Sequence, residues 1–270
     1  MYRILKALTI SLGLLFLYTP LIILIIYSFN NSALINIWGG FSTHWYNVLI
    51  HDNVLLEAAF LSLKIAISSA TLAVILGTMI AVSLQRYNYR GKTFLYGMVI
   101  TPLVMPDIII GVALLLLFVS LESYFNWPTR GFITILLAHT TFCCTYSTIV
   151  IQSRLAQLPR DFEDAALDLG AKPLKTFFYI MLPQISTSIF SAWLISFTLS
   201  LDDFVITSFV NGAYVNTLPI YIYSKIKMGL TPEINAIGTV LLALIATVML
   251  IAVVVMRRNK TTQQIDNNTN

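Results

Sequence analysis

The sequence has 270 residues, of which 57% are hydrophobic and only 10% are charged, and its net charge is +4. A soluble protein of average composition carries about 25% charged residues, so a soluble chain of this length could not cover its surface with so few. The composition therefore excludes a soluble enzyme, a secreted disulfide scaffold and a disordered protein. It predicts an all-α protein that crosses a membrane several times. No segment clusters five basic residues, so we expect no nucleic-acid partner.

Six stretches are apolar over about 20 residues, the length that a helix needs to cross the hydrocarbon core of a bilayer. They are residues 7–29, 58–84, 94–121, 131–151, 180–201 and 234–256. The third and fifth contain Pro102, Pro106 and Pro183, which predict kinked or interrupted helices there. The whole chain, residues 1–270, is thus predicted to be a single transmembrane domain that ends in a polar tail, residues 257–270.

The distribution of basic residues predicts the orientation of these spans, because cytoplasmic loops carry an excess of Lys and Arg. With six spans, one side collects both termini and the loops around residues 85–93 and 152–179. That side holds twelve basic residues: Arg3, Lys6, Arg86, Arg90, Lys92, Arg154, Arg160, Lys172, Lys175, Arg257, Arg258 and Lys260. The other side holds three, Arg130, Lys225 and Lys227. Both termini are therefore predicted to be cytoplasmic.

No group of residues in the sequence predicts catalysis. The segment Gly91-Lys92-Thr93 ends like a phosphate-binding loop, but Arg86 occupies the position where that motif requires its first glycine. His44, His51 and His139 show no spacing typical of metal ligands. We therefore expect no enzymatic activity, no metal site and no cofactor bound by this chain.

The loop of residues 152–179 contains the most informative pattern. Pro159 ends the preceding span, and Asp161 is predicted to cap a new helix with Asp164 three residues later. Gly170 is predicted to end this helix and Pro173 to begin another. One apolar stripe follows the helical period: Phe162, Ala165, Ala166 and Leu169. A helix of ten residues is marginal alone in water, so the stripe must pack on the chain's own spans or on a cytoplasmic partner.

The same loop resembles the EAA motif of the ABC-importer permeases, which are the inner-membrane components of binding-protein-dependent transporters. That motif reads Glu-Ala-Ala, three residues, Gly, nine residues and Ile-x-Leu-Pro. Here Asp164-Ala165-Ala166, Gly170 and Ile180-Met181-Leu182-Pro183 keep every spacing. Asp164 replaces Glu, which retains the charge and shortens the side chain by one methylene group. By this resemblance, the residues that couple the chain to an ATPase are Glu163, Asp164, Ala165, Ala166, Asp168, Leu169, Gly170, Ile180, Leu182 and Pro183.

Other segments are similar to the polyamine branch of this family, the putrescine and spermidine permeases. They are residues 30–32, 42–46, 102–107, 141–143, 200–206 and 231–236. Residues 102–107 and 127–128 look closer to the putrescine-specific permeases than to the spermidine-preferring ones.

The resemblance implies the type I importer permease fold, with six transmembrane helices and a cytoplasmic coupling helix between the fourth and the fifth. It also implies a bacterial inner-membrane location in contact with lipid. The partners it implies are a homologous second permease, a dimer of ATP-binding subunits and a periplasmic polyamine-binding protein. ATP and Mg²⁺ would be bound by the ATP-binding subunits.

Acidic residues in or beside the spans are candidates for a path that carries polyamine cations, because a carboxylate in a membrane is costly. The candidates are Asp107, which follows Pro106, and the adjacent pair Asp202 and Asp203. Pairing of Asp107 with Lys64, or helix capping by any of the three, is the structural alternative. Trp45 is a candidate for contact with the substrate or the binding protein, or an interfacial anchor.

Two functional alternatives remain open from the sequence. The first is a permease of the same family for ferric ion, sulfate, thiamine or another small substrate, although the acidic residues disfavour sulfate. The second is a secondary transporter, which usually shows paired inverted repeats. The sequence contains no clear internal repeat.

Overall fold

The computed structural model describes residues 2–34, 37–213, 215–229, 232–247 and 250. Within these ranges the regular structure is helical, and a single antiparallel bridge joins Asn30 to Phe41. The end of the predicted sixth span and the whole of the predicted tail lie outside the described residues.

The helices follow one another with short connections. In chain order they are α1 (Tyr2–Ser28), α2 (His44–His51), α3 (Asn53–Arg86), α4 (Lys92–Val104), α5 (Asp107–Phe125), α6 (Phe132–Leu155), α7 (Asp161–Asp168), α8 (Pro173–Thr176), α9 (Leu182–Leu201), α10 (Val205–Val210), α11 (Leu218–Met228) and α12 (Glu233–Thr247). A π-helical turn, Phe177–Met181, joins α8 to α9.

Five stretches in the described part of the chain are long and apolar enough to cross a membrane. They are Leu5–Ser28, Asn53–Arg86, Asp107–Phe125, Phe132–Leu155 and Pro173–Leu201. Two shorter apolar helices, α4 and α12, accompany them. The predicted all-α, multi-pass architecture is therefore confirmed, whereas the number of six spans stays a prediction.

The third predicted span, residues 94–121, is two helices. Helix α4 ends at Val104 and α5 begins at Asp107, with Met105 and Pro106 in extended conformations between them. The break follows from Pro106, which cannot donate a backbone hydrogen bond and disfavours helical geometry at the residue before it. Pro102 lies inside α4 without ending it. The interruption expected from the prolines is therefore present, and Pro106 causes it.

The fifth predicted span begins earlier than residue 180, because helical structure already starts at Pro173. Pro183 lies in the first turn of α9, and the π-helical turn comes immediately before it. Since Pro183 has no N–H for the carbonyl of Tyr179, the regular helical pattern cannot continue through this point. Leu182 instead bonds the carbonyl of Phe177, five residues back.

The chain forms two compact units, residues 1–57 with 221–270 and residues 58–220. The second unit contains two buried apolar clusters. Residues of α3, α5, α6 and α10 form the first, and residues of α3, α6 and α9 form the second. One is built around Ile65, Ile135 and Ile206, and the other around Ile151, Leu155 and Ile185. Small residues allow the close approach of these helices, since a Cβ atom on Gly77 would lie 2.7 Å from the Cβ of Ser147. Leu158 and Phe177, from the loop before and after α7, pack against the second cluster.

Candidate functional site

The short helix α7 begins one residue earlier than predicted, because the sequence places its cap at Asp161. Asp161 is the first helical residue, Arg160 occupies the cap position, and no side chain bonds the free N–H groups. The prediction that Asp161 caps the helix with Asp164 is therefore wrong. The backbone oxygen of Arg160 accepts hydrogen bonds from the N–H groups of Glu163 (2.8 Å) and Asp164 (2.9 Å). The acidic first turn still stabilises the helix, because the helix dipole is positive at that end.

The end of α7 lies where the sequence predicts it. Gly170 has φ +83°, a left-handed conformation that favours glycine. Its N–H bonds the carbonyl of Leu167, and the N–H of Ala171 bonds that of Ala166, both at 2.9 Å. This pair of bonds is the Schellman motif that terminates many helices. Pro173 then opens α8, as predicted.

The apolar face of α7 is exposed to solvent. Phe162 is 61% exposed and Leu169 is 89% exposed, and no residue of α7 is buried. Among the residues that the structure describes, none covers the predicted stripe by packing of the chain's own spans. Phe162 in α7 and Leu169 directly after it thus form an exposed apolar surface, of the kind that marks contacts between proteins.

The opposite side of α7 is fixed to the end of α3. Arg86 and Glu163 form a salt bridge of 2.7 Å, with side chains only 7% and 15% exposed. Arg160 donates a hydrogen bond of 2.8 Å to the carbonyl oxygen of Gln85. Arg86 also reaches the carbonyl oxygen of Leu158 at 3.5 Å. Sequence reasoning missed this contact, since 77 positions separate Arg86 from Glu163 and no local pattern links them.

The predicted coupling residues fall in three environments. Asp164, Ala165, Asp168, Leu169 and Gly170 are exposed, Ala166 is half-buried, and Glu163 faces Arg86. The residues of the second half of the motif lie at the start of the following span, where Ile180 and Leu182 are half-buried and Pro183 is exposed. The motif therefore combines an exposed face with the bend that leads into α9.

Asp107 lies at the break between α4 and α5. It is the first residue of α5 and is exposed. Within the described residues its side chain forms no hydrogen bond or ion pair. Lys64, the alternative partner, instead places its Nζ 4.9 Å from the centre of the Phe132 ring. The carboxylate of Asp107 is therefore available to a cation.

Asp202 and Asp203 have different environments although they are neighbours. Asp203 accepts hydrogen bonds from the N–H of Thr207 (2.8 Å), the hydroxyl of Thr207 (2.8 Å) and the N–H of Ile206 (3.3 Å). Its Oδ2 also lies 3.1 Å from Nε2 of His139, and its side chain is only 10% exposed. Asp203 therefore holds the start of α10, whereas Asp202 is exposed.

His139 extends this contact into a buried polar network. Its Nδ1 lies 2.7 Å from the hydroxyl of Ser200, to which Ser69 donates a bond of 2.8 Å. Its Nε2 lies 2.8 Å from the hydroxyl of Thr207. With a proton on Nε2, the ring can donate towards Asp203 and Thr207 and accept a hydrogen bond from Ser200 at Nδ1. The sequence carries no signal for this network, which joins residues from α3, α6, α9 and α10.

Trp45 anchors a loop of the first unit. Its indole N–H donates a hydrogen bond of 2.7 Å to the carbonyl oxygen of Asn30. The side chain of Asn30 in turn bonds the carbonyl of Ile37 and the N–H groups of Ser32 and Gly39. The only polar atom of the Trp45 side chain is thus engaged inside the protein.

These features define a class of protein, a multi-pass helical membrane protein with a short helix whose apolar face is exposed. Residues 73–260 match the family described as "Binding-protein-dependent transport system inner membrane component". The putrescine transport system permease protein PotI of Escherichia coli (strain K12) is 51% identical over 92% of this chain and 89% of its own length. The spermidine/putrescine transport system permease protein PotC of the same strain is 42% identical over 91% of each chain.

A solved structure shares the fold. The crystal structure of a bacterial alginate ABC transporter, in complex with an alginate pentasaccharide-bound periplasmic protein, contains a chain with a TM-score of 0.76 at 17% identity. The match covers 95% of this chain and 93% of that one. The chain described here belongs to the family of binding-protein-dependent transport system inner membrane components. It has the type I importer permease fold, and it is a transport subunit and not an enzyme. This membership excludes the secondary transporter.

Proposed function

We propose that this chain is a permease subunit of an ATP-driven importer that carries polyamines, with putrescine as the preferred substrate and spermidine as a second one. The identity of 51% to PotI, against 42% to PotC, supports this order of preference. A permease of the same family for ferric ion or thiamine is the alternative. The exposed carboxylate of Asp107 favours an organic cation over an anionic substrate.

The proposed arrangement places both termini and α7 on the cytoplasmic side of the bacterial inner membrane, in line with the basic residues on that side. A second, homologous permease would complete the pore, and a periplasmic polyamine-binding protein would deliver the substrate. Two ATP-binding subunits would bind ATP and Mg²⁺ below the membrane. This chain would bind neither.

The observation that carries this proposal is that α7 exposes its apolar face while Arg86 and Arg160 fix the helix to the end of α3. Phe162 and Leu169 would insert into a groove of an ATP-binding subunit, and Asp164 would add a charged contact at the rim. When the ATP-binding subunits approach each other, the seated α7 would be displaced and would move the spans attached to it. The role of this chain is thus mechanical coupling between ATP binding and the pore.

The path of the substrate would use carboxylates that form no hydrogen bond or ion pair with another residue within the described part of the protein. Asp107 and Asp202 are exposed, while Asp203 bonds His139 and α10. Two exposed carboxylates would replace part of the hydration that the ammonium groups of the substrate lose. Because the contacts are weak, the substrate could still be released. In this proposal Asp203 shapes the path, and Trp45 shapes the loop that faces the binding protein.

Uptake of labelled putrescine tests the proposal directly. The chain and its neighbouring subunits are expressed in cells that lack their own polyamine importers, with unlabelled spermidine as competitor. The expected result is ATP-dependent uptake of putrescine, which excess unlabelled spermidine inhibits less strongly than excess unlabelled putrescine does. An assembled complex that hydrolyses ATP and moves ferric ion or thiamine, but no polyamine, would refute the substrate while keeping the coupling role.

A further inference from the structure

Helices α3 and α7 are not neighbours in the sequence. The covalent neighbours of α7 are α6 and the segment that leads through α8 into α9. Any displacement of α7 therefore passes directly to α6 and α9, but it reaches α3 only through side-chain contacts. Arg86 and Arg160 supply such contacts at the end of α3, in addition to the apolar packing of α3 against α6 and α9.

The two arginines cross-link the helices in opposite directions. Arg86, the last residue of α3, reaches forward to Glu163 in α7 and to the carbonyl of Leu158 in the preceding loop. Arg160, beside α7, reaches back to the carbonyl of Gln85 in the last turn of α3. That carbonyl is one of four that a helix leaves unpaired at its end, where the negative pole of the dipole attracts a guanidinium group.

Burial makes the link between Arg86 and Glu163 stiff. Both side chains are almost completely buried, and Nε of Arg86 is buried and makes no hydrogen bond within the described residues. Glu163 is the one carboxylate paired with Arg86 in that part of the chain. Removal of either partner leaves a buried charge without compensation, which is far more costly than loss of an exposed pair.

Helix α3 has the length to carry motion across the membrane. Its 34 residues give a rod of about 51 Å, against about 30 Å for the hydrocarbon core. The rod therefore extends beyond the hydrocarbon region, and it also packs against α6 in both buried clusters and against α9 in the second.

We propose that Arg86 is a positioning residue which, together with Arg160, clamps the end of α3 to α7 so that α3 moves with the docked coupling helix. This inference rests on the proposed coupling role of α7. It adds that α3 is among the helices that move with α7. It also adds that Arg86 transmits this movement and does not take part in binding the ATP-binding subunits.

The test compares Arg86→Gln and Glu163→Gln with Arg90→Gln in the complete transporter, reconstituted in lipid vesicles. Arg90 is exposed four residues beyond Arg86 and forms no ion pair within the described residues, so the same substitution there is the matched control. Three quantities are measured: co-purification with the ATP-binding subunits, ATP hydrolysis, and putrescine transported per ATP.

We expect Arg86→Gln and Glu163→Gln to keep the complex and ATP hydrolysis, and to lower transport per ATP by about tenfold. Arg90→Gln should behave as the unchanged protein. The double variant Arg86→Gln/Glu163→Gln should be no worse than either single variant, because no unpaired buried charge remains. Transport per ATP at the unchanged level in Arg86→Gln would overturn the proposal. Loss of the ATP-binding subunits would overturn it as well, since it would place the effect of Arg86 in docking.

A second measurement does not depend on the substrate. Spin labels on Tyr87→Cys and Asp161→Cys, in a cysteine-free background, report the separation between the end of α3 and α7. With Arg86 present, the separation should stay the same when ATP is added or trapped, and in Arg86→Gln it should change with nucleotide. A separation that already changes in the protein with Arg86 would show that α3 and α7 move independently. If putrescine proves not to be the substrate, this result still decides on the clamp.

Discussion

The exposed face of α7 allows a prediction whose magnitude follows from the structure. A phenylalanine side chain buries roughly 200 Å² when it is fully covered. Because Phe162 is 61% exposed, docking has about 120 Å² of its surface to remove from water, which corresponds to about 3 kcal/mol at about 25 cal/mol per Å². Alanine retains part of this contact, so Phe162→Ala should weaken docking by about 2 kcal/mol.

That difference corresponds to roughly a 30-fold loss in affinity for the ATP-binding subunits. Leu169→Ala should have a similar effect, because Leu169 is 89% exposed directly after the same helix. The affinity is measured by titrating the detergent-solubilised permease pair with labelled ATP-binding subunits. ATP-dependent putrescine uptake is measured in parallel and should fall with it.

Phe125→Ala provides the control for this experiment. Phe125 is 72% exposed at the end of α5, in a different part of the sequence, and has no place in the proposed docking surface. It should leave the affinity unchanged. If Phe162→Ala and Leu169→Ala both bind the ATP-binding subunits within twofold of the unchanged protein, the apolar face of α7 is not the docking surface and the reasoning from exposure fails.

Three further predictions test other parts of the protein. Gly170→Ala should lower stability by about 1 kcal/mol, because φ +83° is unfavourable for alanine; Gly97→Ala, inside α4 with free space around it, should not lower the melting temperature. Asp107→Asn should reduce putrescine flux and leave co-purification with the ATP-binding subunits unchanged, and flux at the original level would make Asp107 structural. Burial alone would raise the pKa of Asp52, but hydrogen bonds from Tyr221 and the backbone, with nearby Lys225, lower it below its ordinary value. A lowered pKa stabilises the fold above the unfolded value of about 4 and loses this effect as the pH falls through the folded value, so the melting-temperature deficit of Tyr221→Phe should be constant above about pH 5 and shrink below about pH 4.

The sequence was sufficient for features that depend on local patterns. Gly170 and Pro173 mark the end of one helix and the start of the next because their backbone restrictions act within a few residues. Pro106 divides a long apolar run for the same reason. The start of α7 was predicted less well, because Asp161 can cap a helix or begin one, and only the position of Arg160 against Gln85 decides between the two.

Contacts between distant residues could not be predicted in this way. Arg86 counted only as one of twelve basic residues on the predicted cytoplasmic side, and its pairing with Glu163 depends on how α3, α6 and α9 pack. His139 likewise had no ligand spacing in the sequence, yet it joins Ser200, Asp203 and Thr207 in space. Such partners are brought together by the packing of buried helices, and the hydrophobic periodicity of the sequence does not show which residues meet.

The pair Asp202 and Asp203 shows why the search for a cation path needs the structure. Both residues satisfy the same sequence criterion, a carboxylate at the end of an apolar span. A carboxylate that already accepts three hydrogen bonds and faces His139 has little capacity left for a passing ammonium group, and its removal would release the start of α10. An exposed neighbour can bind and release a cation without disturbing the fold. The proposed substrate path therefore uses Asp107 and Asp202, while Asp203 and His139 hold the backbone beside Asp202.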